Sequence, residues 1–224
     1  MAERLGAVAG IAAAVLLIAI IVVVPTGPSP GASGEDIKAS LVTQGNAMLL
    51  GHYLEGLMLM LFLSFAASLR GVLRRAEEGA GALSTAMFGG AVATVAVILV
   101  AHAIQASLVL HTARDGDPAL VRALFDLAAM VDSFYAFPLA VFLAAAGAVM
   151  VRSRAVGRWL GWAAGAIALL MVVGQAGTIT GTDPLIAVGI VGFLSFVLWL
   201  LVASIMLLRR RGAARPVVRE ALAP

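Results

Sequence analysis

The chain has 224 residues and a formal net charge of +3, with 62% hydrophobic but only 12% charged residues. A soluble domain carries about a quarter charged residues, so this composition excludes a soluble globular protein and indicates an integral membrane protein. The chain contains no cysteine, which excludes disulfide bonds, thiolate metal sites and cysteine nucleophiles. The arginines cluster beside apolar segments and are not interleaved with aromatic residues, so we expect no nucleic-acid partner.

Six apolar segments are long enough to cross a hydrocarbon core about 30 Å thick, which takes roughly 20 helical residues. We predict one all-α membrane domain over residues 1–224, a polytopic bundle of six transmembrane helices with a mobile basic cytoplasmic tail at 209–224. The first apolar run is longer than the core of a signal peptide, so we interpret it as a retained span rather than a cleaved signal. The predicted spans are about 5–24, 47–69, 83–106, 130–151, 159–178 and 184–208.

Two connections carry signals for the start of a helix. Ser33 precedes a carboxylate, Asp36, by three residues, and this spacing is typical of a capping box. It predicts a short helix from about Gly34 that leads into the second span. Asp117 followed by Pro118 predicts another helix start, with the aspartate as N-cap and the proline as the first helical residue.

The fourth apolar segment is unusually long. It runs from Pro118 to Val151 with only Pro138 as a breaker, and as a helix it would measure roughly 50 Å. Because this exceeds the hydrocarbon core, we expect the part before Asp132 to tilt strongly or to project outside, where it caps the bundle together with the first loop. Pro138 has no N–H, which predicts a free hydrogen-bond acceptor at the carbonyl of Phe134.

The distribution of lysine and arginine predicts the orientation. With alternate connections on opposite sides, one side carries Arg4, the arginines within 70–75 and 152–158, and those of the C-terminal tail. The other side carries only Lys38, Arg114 and Arg122. Since cytoplasmic loops hold the excess of basic residues, we predict a multi-pass protein of a bacterial plasma membrane with both termini in the cytoplasm.

The polar residues of the spans gather at one depth, in the predicted outer half of the bilayer. Glu55 lies inside an apolar run, where it costs about 3 kcal/mol on insertion scales and therefore needs a partner or a task. The other half offers mainly isolated hydroxyl side chains, such as Thr94. We predict a small polar pocket formed by four spans. Its candidate residues are His52, Tyr53, Glu55, His102, Gln105, Asp126, Asp132, Tyr135 and Gln175.

Two of the functions that fit such a pocket involve a membrane-soluble molecule. In the first, the protein binds a small or lipophilic ligand. The residues that would contact this ligand are Tyr53, His102, Gln105, Asp126, Tyr135 and Gln175. In the second, it is an intramembrane enzyme for a lipid or isoprenoid substrate, with Glu55 as general acid and Asp132 or His52 as base. Aromatic side chains would then face a cationic intermediate, as in membrane terpene cyclases, which are an analogy only. These aromatic residues are Tyr53, Phe134, Tyr135 and Phe137.

Two further functions use the ionisable side chains differently. His52 and His102 lie at matching depth and are candidate ligands for a haem or a metal ion, although no cofactor is otherwise predicted. Proton-coupled transport would use Glu55 and Asp132, but no matching polar residues continue through the other half of the spans. A purely structural role also remains open, in which Glu55 is a neutral, hydrogen-bonded acid that joins helices. The predicted partners are membrane lipid and a lipophilic small molecule, and the sequence leaves open whether there is a protein partner.

Three features resemble a bacterial family of six-span membrane proteins known only as a domain of unknown function. These are the polar interruption of the second span, the motif Leu124-Phe-Asp-Leu-Ala before the long fourth helix, and Arg158-Trp-Leu-Gly-Trp162 at the start of the fifth. The resemblance covers most of the chain and implies the six-helix architecture. It implies no activity and no catalytic residue, because the family has none assigned.

Overall fold

The computed structural model describes residues 2–24, 27, 28 and 31–210, and the regular elements of this part of the chain are all helical. A π-helical turn, Leu108–Thr112, continues the third helix. Apart from its first two residues, the predicted basic tail lies outside the described residues. The helices are α1 (Ala2–Val23), α2 (Gly34–Ala76), α3 (Ala82–Ser107), α4 (Pro118–Ser133), α5 (Ala136–Ser153), α6 (Arg158–Thr180) and α7 (Asp183–Arg210).

Six helical segments of the described chain are long and apolar enough to cross a membrane. They are α1, α2, α3 with its π turn, α4 with α5, α6, and α7. The protein is therefore a multi-pass membrane protein with an all-α fold, as predicted. Around the bundle, α1 packs on α2 and α7, α3 packs on α5, and α6 packs between α5 and α7.

The second span and its predicted lead-in helix form one continuous helix. α2 has 43 residues, or roughly 65 Å at the helical rise, so about half of it extends beyond a hydrocarbon core. Its start is capped as the sequence predicts, because the hydroxyl oxygen of Ser33 accepts the backbone N–H of Asp36 at 3.2 Å. The carboxylate of Asp36 in turn accepts the Ser33 hydroxyl at 2.6 Å.

Two separate apolar clusters stabilise the bundle. The small cluster joins the first third of α2, the π turn and α4 through Ile37, Leu41, Leu108 and Val121, among others. The main cluster begins on α2 at Met58 and fills the rest of the bundle. α4 packs on the start of α2 and on the π turn through this small cluster.

The long fourth segment is broken next to its proline. α4 ends at Ser133 and α5 begins at Ala136, because Pro138 cannot donate a backbone hydrogen bond to the preceding turn. The expectation of a free carbonyl at Phe134 is wrong: this carbonyl accepts the N–H of Phe137 at 3.3 Å, so a tighter turn replaces the missing α-helical bond. Phe134 and Tyr135 keep right-handed helical backbone angles at the break, so α4 and α5 together still form one candidate span.

The helices α3 and α5 approach closely at Gly90. A Cβ atom on this glycine would lie 2.7 Å from the carbonyl oxygen of Pro138 and from the backbone nitrogen of Phe142. No larger residue fits here without moving one of the two backbones. The contact fixes the distance between α3, which carries His102, and the broken fourth segment, which carries Asp132.

Candidate functional site: a polar layer beside an intramembrane cavity

A polar layer separates the two apolar clusters. The small cluster ends on α2 at Met48 and the main cluster begins at Met58, and His52 and Glu55 occupy the interval. His102 from α3 and Asp132 from α4 belong to the same layer: Glu55, His102 and Asp132 line one cavity, and Asp132 interacts electrostatically with His52 as well. The structure thus brings together four ionisable residues that the sequence places at one depth.

The centre of the layer is Glu55. Its Oε2 atom lies 2.9 Å from Nε2 of His102 and 3.4 Å from Nδ1 of His52. The imidazole rings lie beside each other with centroids 4.5 Å apart and planes inclined by 32°. All three side chains are largely buried, with exposed fractions of 28% for Glu55, 16% for His52 and 12% for His102.

These contacts leave two ring nitrogens without a partner. One carboxylate oxygen faces both imidazoles, so each ring directs one nitrogen at Glu55 and the other away from it. The nitrogens that point away, Nε2 of His52 and Nδ1 of His102, are buried and have no hydrogen-bond partner among the described residues. An unsatisfied buried polar atom costs about 1–3 kcal/mol, which the fold tolerates more readily at a functional site than elsewhere.

The polar layer forms one end of a cavity of about 180 Å³. Glu55, His102 and Asp132 line this end, and the hydroxyl-bearing side chains of Thr94 and Tyr135 lie further along the wall. The remaining wall is apolar and comes from five helices. It consists of Leu17, Met58, Leu59, Phe62, Ile98, Leu139, Phe193, Phe196 and Leu200.

Three predicted ligand contacts lie away from this cavity. Tyr53 is 65% exposed on the outside of α2, because one residue along a helix turns the side chain by about 100° from the face of His52. Asp126 is exposed and its Oδ2 lies 3.6 Å from Nε of Arg122, one turn away on α4. Gln105 is half-buried on α3 but does not line the cavity.

Gln175 is also absent from the polar layer, although its depth matches. α6 packs on α5 and α7, so Gln175 lies in a second cavity of about 220 Å³ between these elements. There its Nε2 donates a hydrogen bond of 3.2 Å to the hydroxyl of Ser133. Phe134 and Phe137 pack against each other and are 42% and 39% exposed, so they do not face the first cavity.

The residues that the sequence prediction missed are the aromatic wall and Thr94. Phe62 lies two helical turns after Glu55, and this spacing of seven places it on the same face of α2. Phe193 and Phe196 share a face of α7 in the same way, but nothing in the sequence says that this face meets α2. Thr94, interpreted as an isolated hydroxyl, is 3% exposed and lines the cavity.

The two histidines do not fit a haem iron between them. Two axial imidazoles with metal–nitrogen bonds of about 2 Å hold their ring centroids roughly 6 Å apart, with the porphyrin in the gap. The observed 4.5 Å leaves no space for a porphyrin. A single metal ion is different, because one ligand atom from each of His52, Glu55 and His102 lies within 4.8 Å of the others.

An all-α bundle of six membrane-spanning segments around a buried ionisable layer defines a polytopic membrane protein with an intramembrane cavity. Residues 5–203 match the family described as "Domain of unknown function (DUF4386)", and the chain belongs to this family. The match confirms the resemblance to a family known only as a domain of unknown function, and it includes all residues of the polar layer. Comparisons with curated proteins and with solved structures give no match.

Proposed function

We propose that this protein binds a small amphipathic molecule, or one end of a longer lipid, within the membrane. The observation that carries the proposal is the cavity, which joins two carboxyl groups and an imidazole to an apolar wall. Glu55 and Asp132 would hold a hydrogen-bonding or cationic head group. Phe62, Phe193 and Phe196 would contact the apolar part, since protein pockets bind ligands through a mainly apolar lining and a few placed polar groups.

The size of the cavity limits the part of a ligand that it encloses. A cavity of about 150 Å³ lined by apolar side chains binds benzene, so about 180 Å³ accommodates roughly six to ten non-hydrogen atoms. A complete membrane lipid is far larger than this. The occupant is therefore a small molecule, or a lipid of which only one end enters the bundle.

The charge of the cavity favours a cation in the metal-free protein. Glu55 and Asp132 are acidic, and the aromatic rings of Phe62, Phe193 and Tyr135 line the same cavity. Aromatic faces attract cations, and carboxylates accept hydrogen bonds from ammonium groups. We infer that a protonated amine with an aromatic or aliphatic tail binds more tightly than a neutral or anionic molecule of the same size.

Benzylamine, toluene and benzoate test this inference, because they have similar size but different charge. The readout is the thermal unfolding temperature of chelator-treated protein in mild detergent, since a ligand that binds the folded state raises it. Benzylamine should raise the temperature most and benzoate least. Mass spectrometry of molecules that co-purify with the protein identifies the natural occupant in the same preparation.

Variants locate the binding. Glu55→Gln and Asp132→Asn should each weaken benzylamine binding by about tenfold or more, which corresponds to about 1.4 kcal/mol. Asp126→Asn is the matched control, because Asp126 is an exposed carboxylate on the same helix as Asp132. Equal stabilisation by benzylamine and toluene, or unchanged benzylamine binding in both cavity variants, would contradict the proposal.

A specific observation supports an enzyme as a second candidate function. Glu55 and Asp132 line one cavity, so an acid and a base are available on the same enclosed substrate. Glu55, which contacts His102, would supply a proton to a lipid or isoprenoid, and Asp132 would accept one. His52 does not line the cavity and is less suited to act as the base. In this case Glu55→Gln should abolish turnover of the co-purifying molecule while the protein stays folded.

Proton-coupled transport has less support, because the described wall of the cavity beyond Thr94 and Tyr135 is apolar. A transported proton needs acceptors along the whole path across the membrane. We therefore place binding first and turnover second.

The proposed location is a bacterial plasma membrane, with both termini in the cytoplasm and the polar layer in the outer half. The excess of arginine in the connections on the side of the termini supports this orientation. The absence of native cysteine makes the test direct. In intact cells, a membrane-impermeant thiol reagent should label Asp115→Cys but not Ala80→Cys, and the opposite pattern would reverse the orientation.

A further inference from the structure

Three metal-binding side chains converge at the polar end of the cavity. His52 and Glu55 come from successive turns of α2, and His102 comes from α3. One potential ligand atom of each lies within 4.8 Å of the other two, the only such group of three that the described residues form. The group therefore joins two helices at a partly buried position, and no loop residue belongs to it.

The distances suit a single ion. Ligand atoms about 2.0–2.1 Å from a tetrahedral zinc ion lie roughly 3.3–3.4 Å from one another. The Glu55 Oε2 atom is 2.9 Å from His102 and 3.4 Å from His52, so shifts of a few tenths of an ångström bring both contacts to that value. An ion would occupy the space between these two nitrogens and the carboxylate oxygen.

The chemistry of the ligand set indicates which ion binds. Two imidazoles and one carboxylate form a zinc set with three protein ligands, which leaves the fourth position for water or another molecule. Imidazole also selects zinc and similar transition metals over magnesium and calcium, which prefer oxygen ligands. Because Glu55 and His102 line the cavity, the fourth position would open into it.

Charge balance supports the same assignment. A divalent ion carries a charge of about +2, and the carboxylates of Glu55 and Asp132 together compensate it. Asp132 interacts electrostatically with His102, Glu55 and His52 without being a member of the three-residue group. A neutral cluster of this kind costs far less in a membrane interior than separate charges.

We propose that His52, Glu55 and His102 bind one zinc ion, with an open coordination position that faces the cavity. This inference deepens the proposed function, because the ion then forms the polar end of the ligand cavity. It changes the expected selectivity: zinc-loaded protein binds an anionic head such as benzoate more tightly than metal-free protein does. Asp132 positions the molecule at the open site and is not a metal ligand.

The first experiment measures metal binding without any organic ligand. Chelator-treated protein is titrated with zinc, and the bound metal is then determined by elemental mass spectrometry. We expect one zinc per chain and a raised unfolding temperature. Cobalt, added in place of zinc, should give the intense visible absorption of a four-coordinate site, and this readout needs no variant that risks misfolding.

Variants then assign the ligands. His52→Gln and His102→Gln should each lower zinc affinity by about a hundredfold, since even the loss of an outer-shell partner costs about 10- to 100-fold. His111→Gln is the matched control, because the remaining histidine of the chain is exposed in the π turn. Asp132→Asn should weaken zinc binding by about tenfold at most.

Two results would overturn the metal proposal. One is wild-type protein that binds no stoichiometric zinc and gives no four-coordinate cobalt spectrum. The other is equal zinc affinity in His102→Gln and His111→Gln. Either result leaves the benzylamine test untouched, because that test uses metal-free protein. Conversely, zinc binding without any effect of benzylamine or benzoate would confirm the metal site and contradict the ligand cavity.

Discussion

Two cavities in the same bundle contain polar side chains from neighbouring helices, but they differ in the state of those side chains. The second cavity, which contains Gln175, lies against α6 and α7 and is called the α6–α7 cavity below. In it, Gln175 donates a hydrogen bond to the hydroxyl of Ser133, which in turn donates to the carbonyl of Met130 at 2.8 Å. This chain of neutral groups ends on the backbone. In the first cavity, Glu55 and the histidines are ionisable, and two buried ring nitrogens have no partner in the described structure.

The comparison separates polar residues that join helices from the polar residues for which we propose a ligand. A neutral hydrogen-bonded pair stabilises a membrane bundle at little cost. An ionisable group in the membrane interior is expensive, and it is retained chiefly where it serves a function. The α6–α7 cavity is the larger of the two, so volume alone does not identify the functional site.

The largest effect is expected at the close contact that supports the α6–α7 cavity. A Cβ atom at Gly174 would lie 2.1 Å from the Cα atom of Gly189 on α7. Gly174→Ala should therefore lower the free energy of unfolding by about 3 kcal/mol, since the obstacle is backbone. Gly165→Ala on the same helix is the control, because nothing lies within 4 Å of its added methyl group.

Reversible unfolding in mixed detergent measures both glycine variants. Gly165→Ala should be neutral or slightly stabilising, because alanine has the higher helix propensity. Similar stabilities of the two variants would show that α6 and α7 separate easily. The α6–α7 cavity would then not be a rigidly packed structural cavity, and the contrast with the first cavity would fail.

Gln175→Leu should have an intermediate effect that is confined to stability. It removes the hydrogen bond to Ser133, which contributes about 1 kcal/mol, and it should leave benzylamine binding unchanged. Glu55→Gln should show the reverse pattern, with the larger change in binding. If Gln175→Leu weakens benzylamine binding as much as Glu55→Gln does, the distinction between the two cavities fails.

The smallest effect is expected for Thr94→Val, which tests whether every polar group of the first cavity contributes. The Thr94 hydroxyl already donates to the carbonyl of Gly90 at 2.8 Å within its own helix. Its replacement should change benzylamine affinity by less than about threefold, or about 0.6 kcal/mol. A loss of tenfold or more would add Thr94 to the residues that hold the head group.

The candidate site was predictable as far as helical geometry reaches. His52 and Glu55 are three residues apart, which places them on one face of α2 and predicts their contact. Equal depth predicted the approach of His102, because adjacent spans bring residues of one depth to one level. The same argument failed for Gln175, since depth does not specify which neighbour a helix packs against.

The sequence by itself determined the six spans, the start of α2, and the presence of a costly ionisable layer, because hydrophobic length, capping residues and helical spacing are local properties. The tertiary structure alone decided that Glu55 contacts both histidines and that Phe193 and Phe196 complete the cavity wall. These facts depend on which helix faces meet. The helices of this bundle are apolar on most sides, so apolar pattern alone does not specify which faces pack together. Close backbone contacts, such as that of Gly90 with α5, select the faces that meet.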